Sequence, residues 1–237
     1  LEQAQEKSSA NKLHLEQTLK KQDQPLGAET EAVLAALAPT LEAPYQTYSD
    51  IKFGDIAFPN FTVKDKEYEM TYNSFEGTME QEVDTEVRRQ AFDIFYDELD
   101  KHKNATASVY NTQVQKEKIL SRLRGFDSVF DLLLDRQDVS RDLYDRQIDI
   151  IMEKLAPAMR KYAKLLGEIH GLDEVTTADL KIEVDPSYAP HVSYEETRDY
   201  IVEGLSVLGE HYQNIVRSAF DDRWMDYAAN RAKRTGA

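Results

Sequence analysis

The 237-residue sequence predicts a mainly α fold, a multi-helix lobe built of long antiparallel helices with one small β-hairpin. Three observations predict it. Apolar residues recur every three or four positions over most of the chain after Asp84, the period of an amphipathic helix. Helix start and stop residues bracket those runs: Asp84 and Ser140 before them, Gly125 and Gly171 after them. Sustained alternation of period two occurs around residues 58–72, with a shorter trace at 180–184. Sequence order then divides the chain into an N-terminal domain over 1–75, a helical hairpin plus the β-hairpin, and a helical lobe over 76–237.

Residues 2–21 are rich in Gln, Glu and Lys with sparse apolar positions, Leu13, Leu15 and Leu19, which suits a solvated helix. Residues 29–41 form a second helix with Val33, Leu34 and Leu37 on one face, and Pro39 and Pro44 are expected to break it. These two helices make the helical hairpin. Phe61 and Val63, then Tyr68, Met70 and Tyr72, alternate on either side of the charged Lys64-Asp65-Lys66 and give the β-hairpin.

Asp84 opens the longest helical run, in which Val87, Ala91, Phe95 and Leu99 recur every fourth residue and Tyr110, Val114, Leu120 and Leu123 resume the stripe. The weak patch from His102 to Ser108 marks a kink or a close helix crossing. Continuous, the run would span roughly 60 Å at 1.5 Å per residue and act as a spine. A short apolar helix from Val129 to Leu134 follows. After Ser140 the positions Tyr144, Ile148, Ile151, Leu155, Met159, Tyr162, Leu166 and Ile169 step by three and four, with Pro157 predicting a kink or break near Leu155. Leu180, Ile182 and Val184 suggest one short strand. Ser193-Tyr194-Glu195-Glu196 is a capping box for a last helix whose apolar face is Ile201, Leu205, Leu208, Tyr212, Ile215 and Ala219.

Composition narrows the function classes. A net charge of -15 argues against nucleic acid or an anionic membrane surface as partner, because both are polyanions. The absence of cysteine excludes a disulfide framework, a thiolate metal site and a cysteine nucleophile, and agrees with a reducing, cytoplasmic setting. No apolar run reaches the length of a membrane span, and no signal peptide is visible.

Few constellations suggest chemistry. His14, His102, His170, His191 and His211 include no pair four residues apart, so no helix turn presents two imidazoles to a metal, and solvated or capping roles are favoured. Glu168 and His170 point different ways on a helix. Asp221, Asp222 and Asp226 gather beside the one tryptophan, Trp224, and suit either an acid/base pair or, the favoured reading, a solvated acidic face next to Arg223. The thirteen tyrosines suit either the wall of a partly solvated cleft or helix packing, and packing is favoured. There is no Gly-rich phosphate loop and no Gly-x-Ser-x-Gly elbow. The stretch from Phe220 to Ala237 holds the tryptophan and four basic residues, Arg223, Arg231, Lys233 and Arg234. It ends on Thr235-Gly236-Ala237, a helix stop with no element after it, and the expectation is a piece of a longer protein.

Three stretches together resemble oligoendopeptidase F, of the thimet-type zinc metallopeptidases. Glu86-Val87-Arg88-Arg89-Gln90-Ala91-Phe92 with His102-Lys103-Asn104 is similar to that family's E-V-R-R-x-A-F and H-K-N. Arg124-Gly125-Phe126-Asp127-Ser128 with Asp135-Arg136 is similar to its R-G-[FY]-x-S and D-R. Phe220-Asp221-Asp222-Arg223-Trp224-Met225-Asp226, then Asn230 and Lys233-Arg234-Thr235-Gly236-Ala237, is similar to its [ED]-R-W-x-D…N-x-x-K-R-[ST]-G-A. Order and spacing agree from about Leu26 onward.

The resemblance implies a helical, bacterial, cytoplasmic peptidase with two lobes around a deep channel, cleaving internal bonds of short unstructured peptides. It implies a zinc ion held by an H-E-x-x-H helix a few tens of residues beyond Ala237, with the Glu as general base. No catalytic or metal-ligating residue is then expected in this chain, and the chain alone is expected to be inactive and to bind no zinc. The lobe over 76–237 would line one side of the substrate channel, and Trp224, Arg234, Thr235 and Gly236 would form a channel or lobe-hinge segment. The missing C-terminal catalytic lobe is the implied partner, and its exposed docking face is expected to drive self-association. The alternatives are a non-catalytic acidic helical interaction module and an independent enzyme using Asp221, Asp222 and Asp226.

Overall fold

The computed structural model describes residues 11–22, 26–188, 190, 192–227 and 233, with the side chains of 20–22 left out. It is mainly helical, and among the described residues its only sheet is one antiparallel hairpin. Two compact units arise, each from two separate stretches: 1–57 with 96–162, and 58–95 with 163–237.

In the first unit, α1 (Lys12–Gln22) is tethered by Gln17, whose amide donates to Asp138 Oδ2 at 2.8 Å. The second helix, α2 (Ala28–Asp50), contains both Pro39 and Pro44 and is broken by neither, contrary to the sequence expectation. An internal proline costs a helix about 3 kcal/mol by removing one N–H and crowding the carbonyl four residues back. Packing offsets that cost. α2 lies along α5 (Lys103–Leu123) instead of folding back on α1 as a hairpin. Lys116 Nζ donates to the Leu41 carbonyl at 2.9 Å, and Arg124 forks onto Glu31 at 3.1 and 3.3 Å, so the two helices run antiparallel. A π turn, Ile51–Asp55, ends α2.

The long run after Asp84 is two helices. Glu86 N–H donates to Asp84 Oδ1 at 3.0 Å, capping α4 (Thr85–Lys101), and His102 interrupts the run at φ -100, ψ 1 before α5 begins. The kink therefore sits at the first residue of the weak patch. α5 ends at Gly125, whose φ of 76 suits a residue without Cβ; Phe126 N–H reaches Ser121 O and Gly125 N–H reaches Arg122 O, a Schellman closure. Then α6 (Val129–Arg136), capped by Ser128, packs on α5 and on α7 (Arg141–Ile150), which Ser140 caps. α7 passes through a π turn at Ile151–Leu155 into α8 (Ala156–His170). Pro157 thus causes a local widening near Leu155 and no break: Ala156 N–H reaches back to Ile151 O, one residue further than in an α-helix.

The second unit carries the hairpin, β1 (Phe61–Val63) and β2 (Lys66–Tyr68), paired Phe61 to Tyr68 and Val63 to Lys66. Its two-residue turn places Lys64 and Asp65 at φ 50 and 64, the I′ geometry that matches strand twist. The hairpin leads into α3 (Tyr72–Gly77), held by a reciprocal cap between Thr71 and Ser74. An aromatic core gathers around Phe95, which stacks on Phe75 at 3.9 Å and on Phe58 at 4.8 Å and meets the edge of Tyr72 at 5.1 Å. Phe61, Val63, Met70, Val87, Ala91, Leu166 and Ile182 are buried in the same unit.

Two further sequence expectations fail here. Residues 180–184 are turn and coil, since a short 3-10 turn, Thr177–Asp179, precedes them; Ile182 is buried on its own account while Val184 is exposed. The last helix is not continuous: α9 (Tyr194–Gly204) gives way to a 3-10 turn, Leu205–Leu208, and α10 (Glu210–Asp221) starts afresh. Gly209 causes the division, because its φ of 90 with ψ 164 lies where L residues are strained. The capping box of Ser193 and Glu196 is formed as expected.

Candidate functional site

Two clusters in the second unit bring motif residues together. The first forms around Asp179. Arg88 lies on the Val87, Ala91 and Phe95 face of α4, and its side chain is 1% exposed; Asp179, at the end of the 3-10 turn, is 0% exposed. Arg88 Nη2 and Nε donate to Asp179 Oδ1 at 2.5 and 3.2 Å. Arg89 Nη2 donates to Oδ2 at 2.8 Å, and to the Glu174 carbonyl at 2.6 Å. Thr176 adds its N–H and hydroxyl, both to Oδ2, at 2.8 and 2.9 Å. The remaining Arg88 donors are met by the Glu82 carbonyl at 2.6 Å and by Val83 and Thr85 at 3.3 Å.

Burial by itself pushes the Asp179 carboxyl up; the hydrogen bonds from Arg89, the Thr176 backbone, Arg88 and the Thr176 hydroxyl outweigh it and hold Asp179 well below the usual carboxylate range. The same bond to Asp179 raises Arg89. A carboxylate so fully bonded is a fixed anion and a poor proton acceptor. Its work is to fasten α4 to the 174–179 segment.

The second cluster is the stretch after α10. Arg223 adopts φ 57 and Trp224 N–H returns to the Ala219 carbonyl at 3.0 Å, closing the helix. Trp224 is 62% exposed and faces solvent. Tyr227 stacks on Tyr194 at 4.0 Å, and burial followed by the Tyr227 neighbour pushes the Tyr194 hydroxyl up. Two of the three candidate acids are balanced by a base: Asp221 accepts from Arg198 at 2.9 Å, and Asp226 pairs with Lys233 at 2.7 Å. Asn73 Nδ2 donates to the Lys233 carbonyl at 2.9 Å and ties this stretch to α3. Arg234, Thr235 and Gly236 lie outside the described residues.

The other motif residues also sit at joints. His102 marks the α4–α5 break, Arg124 forks onto Glu31, and Gly125 closes α5. Of the histidines, His170 Nε2 donates to the Glu183 carbonyl at 2.8 Å. Among the described residues no three His, Asp or Glu side chains are placed to hold a metal ion, so the residues here do not fit a zinc site. The sequence reading missed Asp179. Thr176-x-x-Asp179, a capping spacing, and an arginine three residues before Ala91 on an apolar face were the available signals.

Residues 2–58 match the family Oligopeptidase F, and residues 78–237 match Peptidase family M3. The chain is 31% identical over 224 residues to oligopeptidase PepF of Bacillus subtilis (strain 168), covering 94% of this chain and 33% of that protein. It is 27% identical over 236 residues to group B oligopeptidase PepB of Streptococcus agalactiae serotype III (strain NEM316), covering 98% and 37%. The crystal structure of oligoendopeptidase-F from Enterococcus faecium superposes with a TM-score of 0.72 at 21% identity, over 93% of this chain and 40% of that one, which shows the shared fold. The chain thus spans about a third of the length of the curated relatives it matches. With two thirds of its residues matched to one family and that fold shared, the chain belongs to peptidase family M3.

Proposed function

We propose that this chain is the N-terminal portion of a zinc-dependent oligoendopeptidase that hydrolyses internal bonds of short unstructured peptides in the cytoplasm. The observation that carries the reading is the ordered pair of matches, Oligopeptidase F over 2–58 and Peptidase family M3 over 78–237, on a chain that spans a third of its relatives. In this reading residues 1–75 and 76–237 build a wall of the substrate channel, and Trp224, Arg234, Thr235 and Gly236 carry the chain toward the lobe that does the chemistry. The described residues do not fit zinc; the chain's own part is to shape the channel and exclude folded proteins by size.

The test has two arms. The reading frame past Ala237 should encode H-E-x-x-H, and a stop codon there would sink the peptidase reading in favour of an acidic interaction module. Assayed alone with an internally quenched peptide, the 237-residue chain should cleave nothing and bind no stoichiometric zinc, while the complete polypeptide should show chelator-sensitive cleavage. Chelator-sensitive activity from the 237-residue chain would overturn the division of labour.

A further inference from the structure

The feature that packing within this chain leaves unexplained is the middle of the α7–α8 run. Every residue from 145 to 155 is exposed, so this stretch meets solvent on all sides. Its apolar residues are nevertheless ordered: Ile148, Ile151, Leu155 and Met159 follow one another at spacings of three and four, with Met152 four residues after Ile148 on the same side, and each is 42% to 67% exposed. An amphipathic stripe of this kind belongs against another surface. Left in water it forgoes the stabilisation that burial of apolar area gives. A π turn, Ile51–Asp55 apart the only such turn among the described residues, lies within it at Ile151–Leu155, where it turns the face on either side of Pro157.

We propose that this stripe is the docking face for the C-terminal part of the parent polypeptide, an apolar surface of the lobe that follows residue 237. The proposal rests on the reading of the chain as an N-terminal portion. Length argues for a part of the parent polypeptide as occupant: the chain accounts for 33% to 37% of the relatives, so about twice its own length of them lies outside the match. Charge disfavours a second copy there, the self-association expected from the sequence, because each chain carries -15 and two would repel.

Methionine oxidation reads the stripe directly, since Met152 and Met159 lie in it and thioether oxidation follows exposure. Dilute peroxide is applied to the isolated chain and to the complete polypeptide, and sulfoxide is followed by peptide mass spectrometry, with the buried Met70 as the slow reference. The expected result is fast oxidation of both methionines in the isolated chain and roughly tenfold slower oxidation in the complete polypeptide. Equal rates in the two would overturn the proposal. So would slowing in the isolated chain that rises with concentration alongside a dimer mass, which makes the occupant a second copy, or slowing that requires added peptide, which makes it substrate. Activity of the complete polypeptide is measured separately: chelator-sensitive cleavage with unprotected methionines sinks the docking face and leaves the function, and protection without cleavage does the reverse.

Discussion

Replacing Asp179 by alanine should destabilise the second unit severely. The substitution removes the acceptor for two bonds from Arg88, two from Arg89 and two from Thr176. Arg88 stays buried with its guanidinium only partly served by the Glu82 and Val83 carbonyls and the Thr85 hydroxyl. Breaking a buried pair by removing one partner costs about 3–5 kcal/mol, because the surviving charge is left without compensation. For a chain of this size that is about 6–20 °C in the melting temperature, at 2–4 °C per kcal/mol. The assay is thermal and urea unfolding followed by circular dichroism at pH 7, with the intrinsic fluorescence of Trp224 reporting the same unit. Asp179→Asn should lose nearly as much, since its amide would set a donor against those of Arg89 and Thr176 at Oδ2. The double substitution Arg88→Met with Asp179→Leu should recover much of the loss, because it leaves no orphaned charge. A loss below about 1 kcal/mol for Asp179→Ala would refute the reasoning and make the trio a bystander.

Other expectations follow from the same geometry. Asp179 has its folded value depressed, so its stabilisation is complete above the unfolded carboxylate value of about 4 and is lost as pH falls toward the much lower folded value; stability of the native chain should drop across that acid range and that of Asp179→Asn should drop less, in urea titrations at stepped pH. Phe95→Ala removes a buried ring from three aromatic contacts and should cost about 3–5 kcal/mol in the same assay. Gly209→Ala forces a Cβ into the φ 90 conformation and should cost about 1–3 kcal/mol, although nothing lies within 4 Å to clash. Asp65→Gly, at φ 64 in the I′ turn, should stabilise the hairpin by about 0.5 kcal/mol, and a loss instead would mean that the turn is not I′ in solution.

How much of this was legible in the sequence depends on whether the determinant is local. Caps at Asp84, Ser140 and Ser193 and the stop at Gly125 act over four residues, and the sequence placed them all. The hairpin was legible for the same reason. The prolines of α2 were misjudged because their cost is local while the compensation, from Lys116 and Arg124 of a helix far along the chain, is not. Gly209 was passed over because an apolar face continues through it at helical spacing, and periodicity carries no record of φ. Asp179 was invisible for a related reason. Charged residues are usually solvated, and nothing at position 179 announces that two arginines some ninety residues earlier will close over it.

The motifs that carry the family resemblance turn out to occupy joints. Arg88 and Arg89 clamp a distant turn, His102 interrupts a helix, Arg124 and Gly125 tie and end another, and Lys233 pins the last stretch to α3 through its carbonyl. None of those joint residues is a carboxylate, and the one strongly perturbed carboxyl, that of Asp179, is perturbed in the direction that disables it as a base. A perturbed group in a cleft is ordinarily a reason to suspect catalysis. Here the sign decides against it: a value pulled down by six hydrogen bonds describes a rivet, whereas a general base near neutral pH needs a carboxylate pushed up. The described motif residues hold this chain's fold together under a net charge that favours expansion.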